Sequence, residues 1–248
     1  YIQDYVNQLL DYHQQSMERL IRNQQDQKAF IDSWVHEIKV PLAATQLLIE
    51  SIEMQIPDDK FNQLSDELIH IEHYVEQVLY YSRLDSFSKD YLVQEAALKP
   101  IINQVIRQNR NYFIQKRLQF SLEGDEQTVL TDAKWLGFIL NQLISNAIKY
   151  TPENGRIQVI LIRDDQGVWL KVHDSGIGIP EADLPRIFDK GFTGQNGRSS
   201  NQSSTGLGLY LAKELSQKLG HELTASASAD GTTLSILFPF LSYYNDAD

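Results

Sequence analysis

Cysteine is absent from the 248 residues. That excludes a disulfide framework, a thiol nucleophile and a thiolate metal site, and it suits a reducing compartment. Basic charge is scarce: Lys and Arg number 22 against 33 Asp and Glu, a formal net charge of −11 with a pI near 5.0. Nucleic-acid binders present Lys and Arg to phosphates, so the surface as a whole argues against nucleic acid as a partner. An anionic membrane would be repelled in the same way. No apolar run reaches the ~18–20 residues that span a bilayer, and no signal peptide opens the chain. Tyr1 leads straight into a helical pattern, so the expectation is an excised fragment with any membrane anchor lying upstream of it. Glycine is missing before Gly124, and only Pro41 and Pro57 interrupt residues 1–99.

What that first third contains is helical period. Apolar positions run Ile31, Val35, Ile38, Leu42, Thr45, Ile49, Ile52, and after Pro57-Asp58-Asp59 they resume at Phe61, Leu64, Leu68, Ile71, Val75, Val78. Two heptad-like seams joined by a short turn predict an antiparallel helical hairpin. Each helix carries one narrow stripe, a thin core for one chain, so a four-helix bundle made by two chains is expected. Upstream, a similar spacing passes through Val6, Leu10, His13, Met17, Leu20, Gln24, Gln27 and Ile31. The steps 27–31–35 break the heptad as a stutter does. This stretch is either a frayed Gln-rich helix end or a weak joint that passes a signal to the hairpin.

Residues 86–95 read as a linker, and the pattern then changes character. A helix is predicted at Leu98–Arg117, and short strands at Leu118–Leu122 and Thr128–Leu130. A strong helix follows at Ala133–Tyr150, capped by Asp132 or Thr131. Strands at Ile157–Ile162 and Val168–Val172, a helix near Leu207–Leu219, and strands at Glu222–Ala227 and Thr232–Phe238 complete the chain. Such clusters of helices and hairpins predict an α/β sandwich with a mostly antiparallel sheet. Asp189–Thr205 carries three Gly, several Ser and Asn and little that is apolar, so a mobile lid is expected there.

On the helix 133–150, Gln142, Asn146, Lys149 and Tyr150 share one face by spacing. Amide, ammonium and phenol groups suit an anionic ligand with a metal ion, though a plain solvated face has the same look. Two glycine motifs tilt the balance. Asp174-Ser175-Gly176-Ile177-Gly178-Ile179-Pro180 follows a strand, where Gly permits close backbone approach and Asp174 can accept from an exocyclic amine. Thr205-Gly206-Leu207-Gly208-Leu209 opens a helix, whose unpaired N–H groups suit phosphate. Neither motif has the GxGxxG form of a dinucleotide fold, and no GxxxxGK[ST] phosphate loop exists.

Taken in order, HEIKVP at His36–Pro41, NQLISNAIKYT with Asn146, DSGIGIP, RIFDKGF and TGLGL resemble the boxes of a sensor histidine kinase over residues 28–240. FIDSWVHEIKVPL further resembles kinases that sense cell-envelope stress and peptide antibiotics beside a transporter. The resemblance implies a multi-domain α plus α/β chain: a hairpin forming a dimeric four-helix bundle, then a Bergerat-type (GHKL) ATP-binding sandwich. The expected divisions are a signalling helix at 1–27, the dimerisation and phosphotransfer hairpin at 28–86, a linker at 87–97, the ATP-binding domain at 98–240 and a tail at 241–248.

His36 is the expected phosphoacceptor. It sits one residue past seam position Val35, hence accessible, and an imidazole of ordinary pKa near 6.5 is mostly neutral and nucleophilic at pH 7. Glu37 is placed to take its proton. Pro41 removes the N–H that would bond the carbonyl of residue 37, so a kink is expected there. The resemblance further implies that Asn146 holds Mg²⁺ on ATP, Lys149 meets phosphate, Tyr150 lies near adenine and Asp174 binds the adenine amino group. Gly176, Gly178, Gly206, Leu207 and Gly208 shape the pocket, and Phe188 and Phe192 bracket the lid base. Apart from the resemblance, Arg198 and Lys190 are the only Arg and Lys of the loop 189–205; one of them, Arg198 before Lys190, is expected to reach the γ-phosphate, the alternative being that Arg198 only keeps the loop soluble.

Two departures stand out. Gln142 occupies a position where histidine kinases commonly have Asn and ATP-hydrolysing relatives have Glu; Gln cannot serve as a water-activating base. Val40 stands where strong phosphatases carry Thr or Asn, which argues against that activity. The expected enzyme is an ATP-dependent protein-histidine kinase that uses ATP and Mg²⁺ and passes its phosphoryl group to an aspartate of a response regulator. The expected location is the cytoplasmic side of the bacterial membrane, with a membrane transporter as a further partner of the full-length protein. A GHKL-type ATPase and a degenerate dimeric scaffold are the rival readings.

Overall fold

The computed structural model describes residues 2–84, 91–194 and 205–240. The chain divides into two compact units, residues 1–86 and 87–248.

The first unit is a helical hairpin. Helix α1 (Ile2–Ser51) runs through Gln24, Gln27 and Pro41 as one element, so the expected signalling helix and the first hairpin helix are continuous. A 3-10 turn (Glu53–Gln55) leads to α2 (Asp58–Arg83). The reversal therefore lies upstream of the Pro-Asp-Asp sequence rather than in it. Pro57 is the cap residue at φ −59° and ψ 141°, and its carbonyl accepts from Lys60 and Phe61 at 2.9 and 3.0 Å. Its ring-fixed φ and missing N–H are compatible with this place just ahead of the first helical turn. Along the seam Val35, Ile49 and Val75 are buried, whereas Leu64 and Ile71 are 44% and 43% exposed. One chain leaves part of its apolar stripe uncovered. Across the hairpin Arg83 Nη2 and Nε donate to Asp32 Oδ1 at 3.2 and 3.4 Å, and Lys39 pairs with Glu76 at 3.5 Å.

In the second unit the elements run β1 (Gln94–Ala97), α3 (Leu98–Gln108), α4 (Arg110–Gln115), β2 (Gln119–Glu123), β3 (Thr128–Thr131), α5 (Ala133–Tyr150), β4 (Arg156–Arg163), β5 (Gly167–Asp174), α6 (Gly208–Lys218), β6 (Glu222–Ser228) and β7 (Gly231–Pro239). A five-stranded sheet has the order β2-β4-β5-β7-β6, and β1 and β3 make a separate pair. Strand β2 lies parallel to β4, while the other pairs are antiparallel. The large sheet is therefore mixed at one edge. Residues 94–97 form β1 against β3, so the end of the expected linker is structured; β3 offers Glu95 and Ala96 a ladder that composition could not reveal.

The helix expected over Leu98–Arg117 breaks at Asn109. This residue leaves helical dihedrals (φ −96°, ψ 5°). Its side-chain N–H₂ donates to Val105 O at 2.9 Å and Asn141 Oδ1 at 2.8 Å. An Asn amide that competes for backbone and neighbour partners is a physical reason for a helix to stop. Arg117 is not helical either; it has φ 51°.

Helix α5 lies at the centre. Its start is capped by Asp132, whose Oδ1 accepts from Lys134 and Trp135 N–H at 2.9 and 3.0 Å, as a good N-cap does. Thr131, the alternative cap, is instead bonded to His221. Trp135, Leu136, Ile139, Leu143, Ile144 and Ala147 are each 2% exposed or less. They meet the inward row of the sheet, where alternate residues face the helices: Val159 pairs with Val172 and Leu161 with Leu170, and Leu170 pairs with Ile236.

Candidate functional site

The inward row of β5 reads Val168, Leu170, Val172, Asp174. Period-two alternation thus delivers a carboxylate to the next core-facing place after three apolar side chains. Asp174 is 6% exposed and stands in register with Ile157 on one side and Thr232 on the other. Burial pushes its carboxyl above the ordinary carboxylate value, opposed by N–H donation from Gly176 and Thr232 and by nearby His173. The Gly176 N–H···Oδ1 distance is 2.9 Å. A desolvated carboxylate with unused acceptor capacity is suited to a ligand N–H donor.

The glycine loop after β5 is stitched to the end of α5. Ile177 N–H donates to Tyr150 O at 3.2 Å. A Cβ on Gly176 would lie 2.6 Å from that same carbonyl and 2.5 Å from Asp174 Oδ1, so only glycine lets the loop approach this closely. Gly178 continues the loop at φ +68°. The site thus unites Tyr150, Asp174, Gly176 and Gly178.

The expected polar face of α5 is graded. Gln142 is 2% exposed, while Asn146, Lys149 and Tyr150 are half-buried. Gln142 belongs to the core end of the row, and three of the four residues reach the surface. Burial lowers the pKa of the Lys149 ammonium, a cost that a bound anion offsets. Its Nζ stands 5.6 Å from the Tyr150 ring centroid.

Two aromatics of the RIFDKGF segment, Phe188 and Phe192, are each faced by a cation. Arg186 stands 4.6 Å from the Phe192 ring centroid, and Lys213 stands 5.3 Å from that of Phe188. Lys213 also donates to Leu223 O at 2.6 Å, tying α6 to β6. Arg186 opens the RIFDKGF box itself, whereas Lys213 comes from a separate element and was not evident in the sequence as part of the site. Gly206, Leu207 and Gly208 open α6, with Leu207 N–H donating to Thr205 Oγ1 at 3.2 Å. Residues 195–204, and with them Arg198, lie outside the described residues, as does the tail 241–248. Lys190 is described and exposed.

On the other unit His36 and Glu37 are exposed on α1, beside Val35 at 4% exposure. Ser33 Oγ donates to Glu37 Oε1 at 3.3 Å, which places Glu37 along the helix and leaves its second oxygen for other partners. Among the described residues no cluster of three or more His, Asp or Glu is arranged to hold a metal. A Mg²⁺ ion bound largely by phosphate oxygens and water needs no such cluster, and the Asn146 amide oxygen fits that requirement as a single protein donor. No helix among the described residues is long and apolar enough to cross a membrane.

Comparison with known families places these features. Residues 26–87 match the His Kinase A (phospho-acceptor) domain, and residues 131–242 match the histidine kinase-, DNA gyrase B- and HSP90-like ATPase domain. The chain is 37% identical over 215 residues to the sensor histidine kinase YxdK of Bacillus subtilis, covering 86% of this chain and 64% of that protein. It is 36% identical over 221 residues to the sensor protein BceS of the same organism, covering 89% and 65%. It is 34% identical over 240 residues to the sensor protein kinase GraS of Staphylococcus aureus, covering 95% and 67%. It therefore spans just under two thirds of the length of YxdK and BceS.

Among solved structures, the mycobacterial sensor histidine kinase MprB superposes with a TM-score of 0.51 at 25% identity, over 60% of this chain and 97% of that one. Full-length ShkA in complex with AMPPNP shares the fold, with a TM-score of 0.63 at 21% identity over 84% and 45%. With both domain matches in order and relatives of this similarity, the chain belongs to the two-component sensor histidine kinases, in their BceS-like subfamily.

Proposed function

We propose that this chain phosphorylates itself on His36 from Mg-ATP and passes the phosphoryl group to an aspartate of a response regulator. The observation that carries the reading is Asp174, a buried carboxylate at the end of an inward strand row, beside a glycine loop with no room for a side chain. It is the acceptor for the exocyclic amine of adenine. Lys149 neutralises phosphate charge, Tyr150 lies along the base, and Asn146 holds Mg²⁺, which supplies charge neutralisation on the phosphates. Gly206, Leu207 and Gly208 bring helix-start N–H groups to the phosphate side.

In the reaction a neutral imidazole nitrogen of His36 attacks the γ-phosphorus. The bond from that phosphorus to the β,γ-bridging oxygen breaks, and ADP leaves. Glu37 accepts the ring proton. Positioning and charge neutralisation supply most of the rate.

The partly uncovered seam of the hairpin supports a homodimer through a four-helix bundle. The likeness to the sensor proteins BceS and GraS supports a signalling role. The resemblance of FIDSWVHEIKVPL extends the proposal to envelope-stress or antibiotic-peptide signalling at the cytoplasmic side of the membrane, with a transporter as a partner of the full-length protein. Incubation with γ-labelled ATP and Mg²⁺ tests the core of this. Acid-labile, base-stable label on the protein is expected, and it should vanish in His36→Gln while nucleotide binding persists. Steady phosphate release without labelled protein would instead make the chain an ATPase. No nucleotide binding at all would make it a scaffold.

A further inference from the structure

We propose that Lys116, in the turn between α4 and β2, is a positioning residue for the nucleotide site. The inference rests on the ATP-binding reading above. Helix α5 ends at Tyr150, and its last carbonyls lose their intrahelical partners there. Each of the last four is nevertheless engaged. Ala147 O accepts from Thr151 N–H at 3.0 Å and from Thr151 Oγ1 at 2.6 Å, and Tyr150 O accepts from Ile177. Lys116 Nζ closes the rest, reaching Ile148 O at 2.7 Å, Thr151 O at 2.6 Å and Lys149 O at 3.4 Å. An ammonium has three donors, and all three are directed at this one helix end. A cation here also complements the negative end of the helix dipole.

The surrounding backbone shows that this is a joint and not a stray surface contact. Asn154 N–H donates to Lys116 O at 2.9 Å, and Gln119 N–H donates to Gly155 O at 2.9 Å. The turn at 116–119 is thereby laced to the loop at 151–155. That loop in turn meets the glycine motif, since Arg156 N–H donates to Ser175 Oγ at 2.8 Å and Ser175 N–H to Arg156 O at 2.9 Å. Lys116 therefore holds the carbonyl of Lys149 and the segments next to Tyr150, Ser175 and Gly176, without belonging to the face that takes the nucleotide. Burial lowers its pKa, and Glu153 acts in the opposite direction, in keeping with an ammonium half-withdrawn from water to serve these carbonyls.

A group of this kind sets where binding residues stand. Its loss should therefore weaken ATP binding more than it slows the chemical step. The test uses the whole chain. The initial rate of phosphohistidine formation is measured against Mg-ATP concentration for wild type, Lys116→Met and Lys116→Arg, alongside thermal unfolding. The expected result for Lys116→Met is an apparent ATP constant raised between about tenfold and a hundredfold, the scale on which small misplacement acts. Its limiting rate should stay within about twofold. Lys116→Arg, whose guanidinium still donates, should return to within about threefold of wild type. If the Met variant does not unfold cooperatively, Lys116→Gln, which keeps a shorter donor, is judged by the same split. An unchanged apparent constant with only a lowered melting temperature would reduce Lys116 to a structural cap and overturn the inference. A wild-type chain that binds no Mg-ATP would overturn the parent reading and this one with it, so the two failures are distinguishable.

Discussion

The N–H of Gly191 donates to the carbonyl of Gly206 at 3.0 Å, and a Cβ on Gly206 would meet the Gly191 backbone. The contact pins Gly191, one residue before Phe192, to Gly206, two residues before the start of α6. Gly206 also holds φ +66°, a left-handed conformation that costs an L-residue about 1–2 kcal/mol. In Gly206→Ala that strain adds to the backbone collision, so the clasp should open. The expected result is nucleotide affinity lowered by about tenfold or more, with unfolding still cooperative. Titration calorimetry with a non-hydrolysable ATP analogue checks it, and wild-type affinity would separate the clasp from the site.

Asp174→Asn separates binding from stability. Burial raises the folded pKa of Asp174, so its favourable contribution is full below the unfolded pKa and is lost as pH rises through the folded value. At neutral pH burying the carboxyl is therefore a stability cost, and the amide removes it while an oxygen remains to accept from Gly176. The variant should melt at or above the wild-type temperature at pH 7.5. Its ATP affinity should nonetheless fall between about tenfold and a hundredfold, the worth of a hydrogen bond to a charged acceptor. A lowered melting temperature with intact affinity would contradict both halves.

Much of this site could be read from the sequence because its parts are local. The strand row that ends in Asp174, the two glycine motifs and helix α5 each carry their signal within a few neighbouring residues. Four features escaped, for two reasons. Gln142 shares its helix face with Asn146, yet spacing cannot say how deep the helix is buried along its length. Lys116 lies more than thirty residues from the carbonyls it caps, and a lone Lys before a strand has no signature. The parallel pairing of β2 with β4 was hidden for the same reason: β2 is short, and its partner is distant in sequence. The break at Asn109 depends on Asn141, again a partner that only the fold brings near.

In the hairpin, Asp32 lies one helical turn before His36 and receives two N–H groups of Arg83, near the end of α2. Both side chains are about one-third exposed, so solvent screens the pair and its worth should be modest. A double-mutant cycle through Asp32→Ala, Arg83→Ala and the double variant should give a coupling of about 0.5–1 kcal/mol. The measurement is hairpin stability by urea unfolding at fixed protein concentration, because dimerisation shifts the apparent value. The coupling should shrink in 1 M salt. A coupling near zero at low salt would mean that the two side chains do not act on each other in solution.

Buried His221 gives the second unit a specific acid sensitivity. The ring is 6% exposed, lies 2.9 Å by Nε2 from the hydroxyl of fully buried Thr131 and packs 4.5 Å from the Phe238 ring centroid. Burial lowers its pKa from 6.5 to about 4, so the folded protein keeps the ring neutral where an unfolded chain would protonate it. Between those values the unfolded state binds more protons, and stability falls as pH drops. The contribution is complete above pH 6.5 and is lost on the way down to about pH 4. At 1.36 kcal/mol per unit, the loss between pH 6.5 and pH 5 is about 2 kcal/mol. Ring titration by NMR checks the value directly. Urea unfolding of the second unit in wild type and His221→Asn at pH 7 and pH 5 checks the linkage. The variant can be less stable at both values; what identifies His221 is the pH-dependent difference, present in the wild type and about 2 kcal/mol smaller in the variant. Equal slopes in the two proteins would assign the acid sensitivity to carboxylates elsewhere.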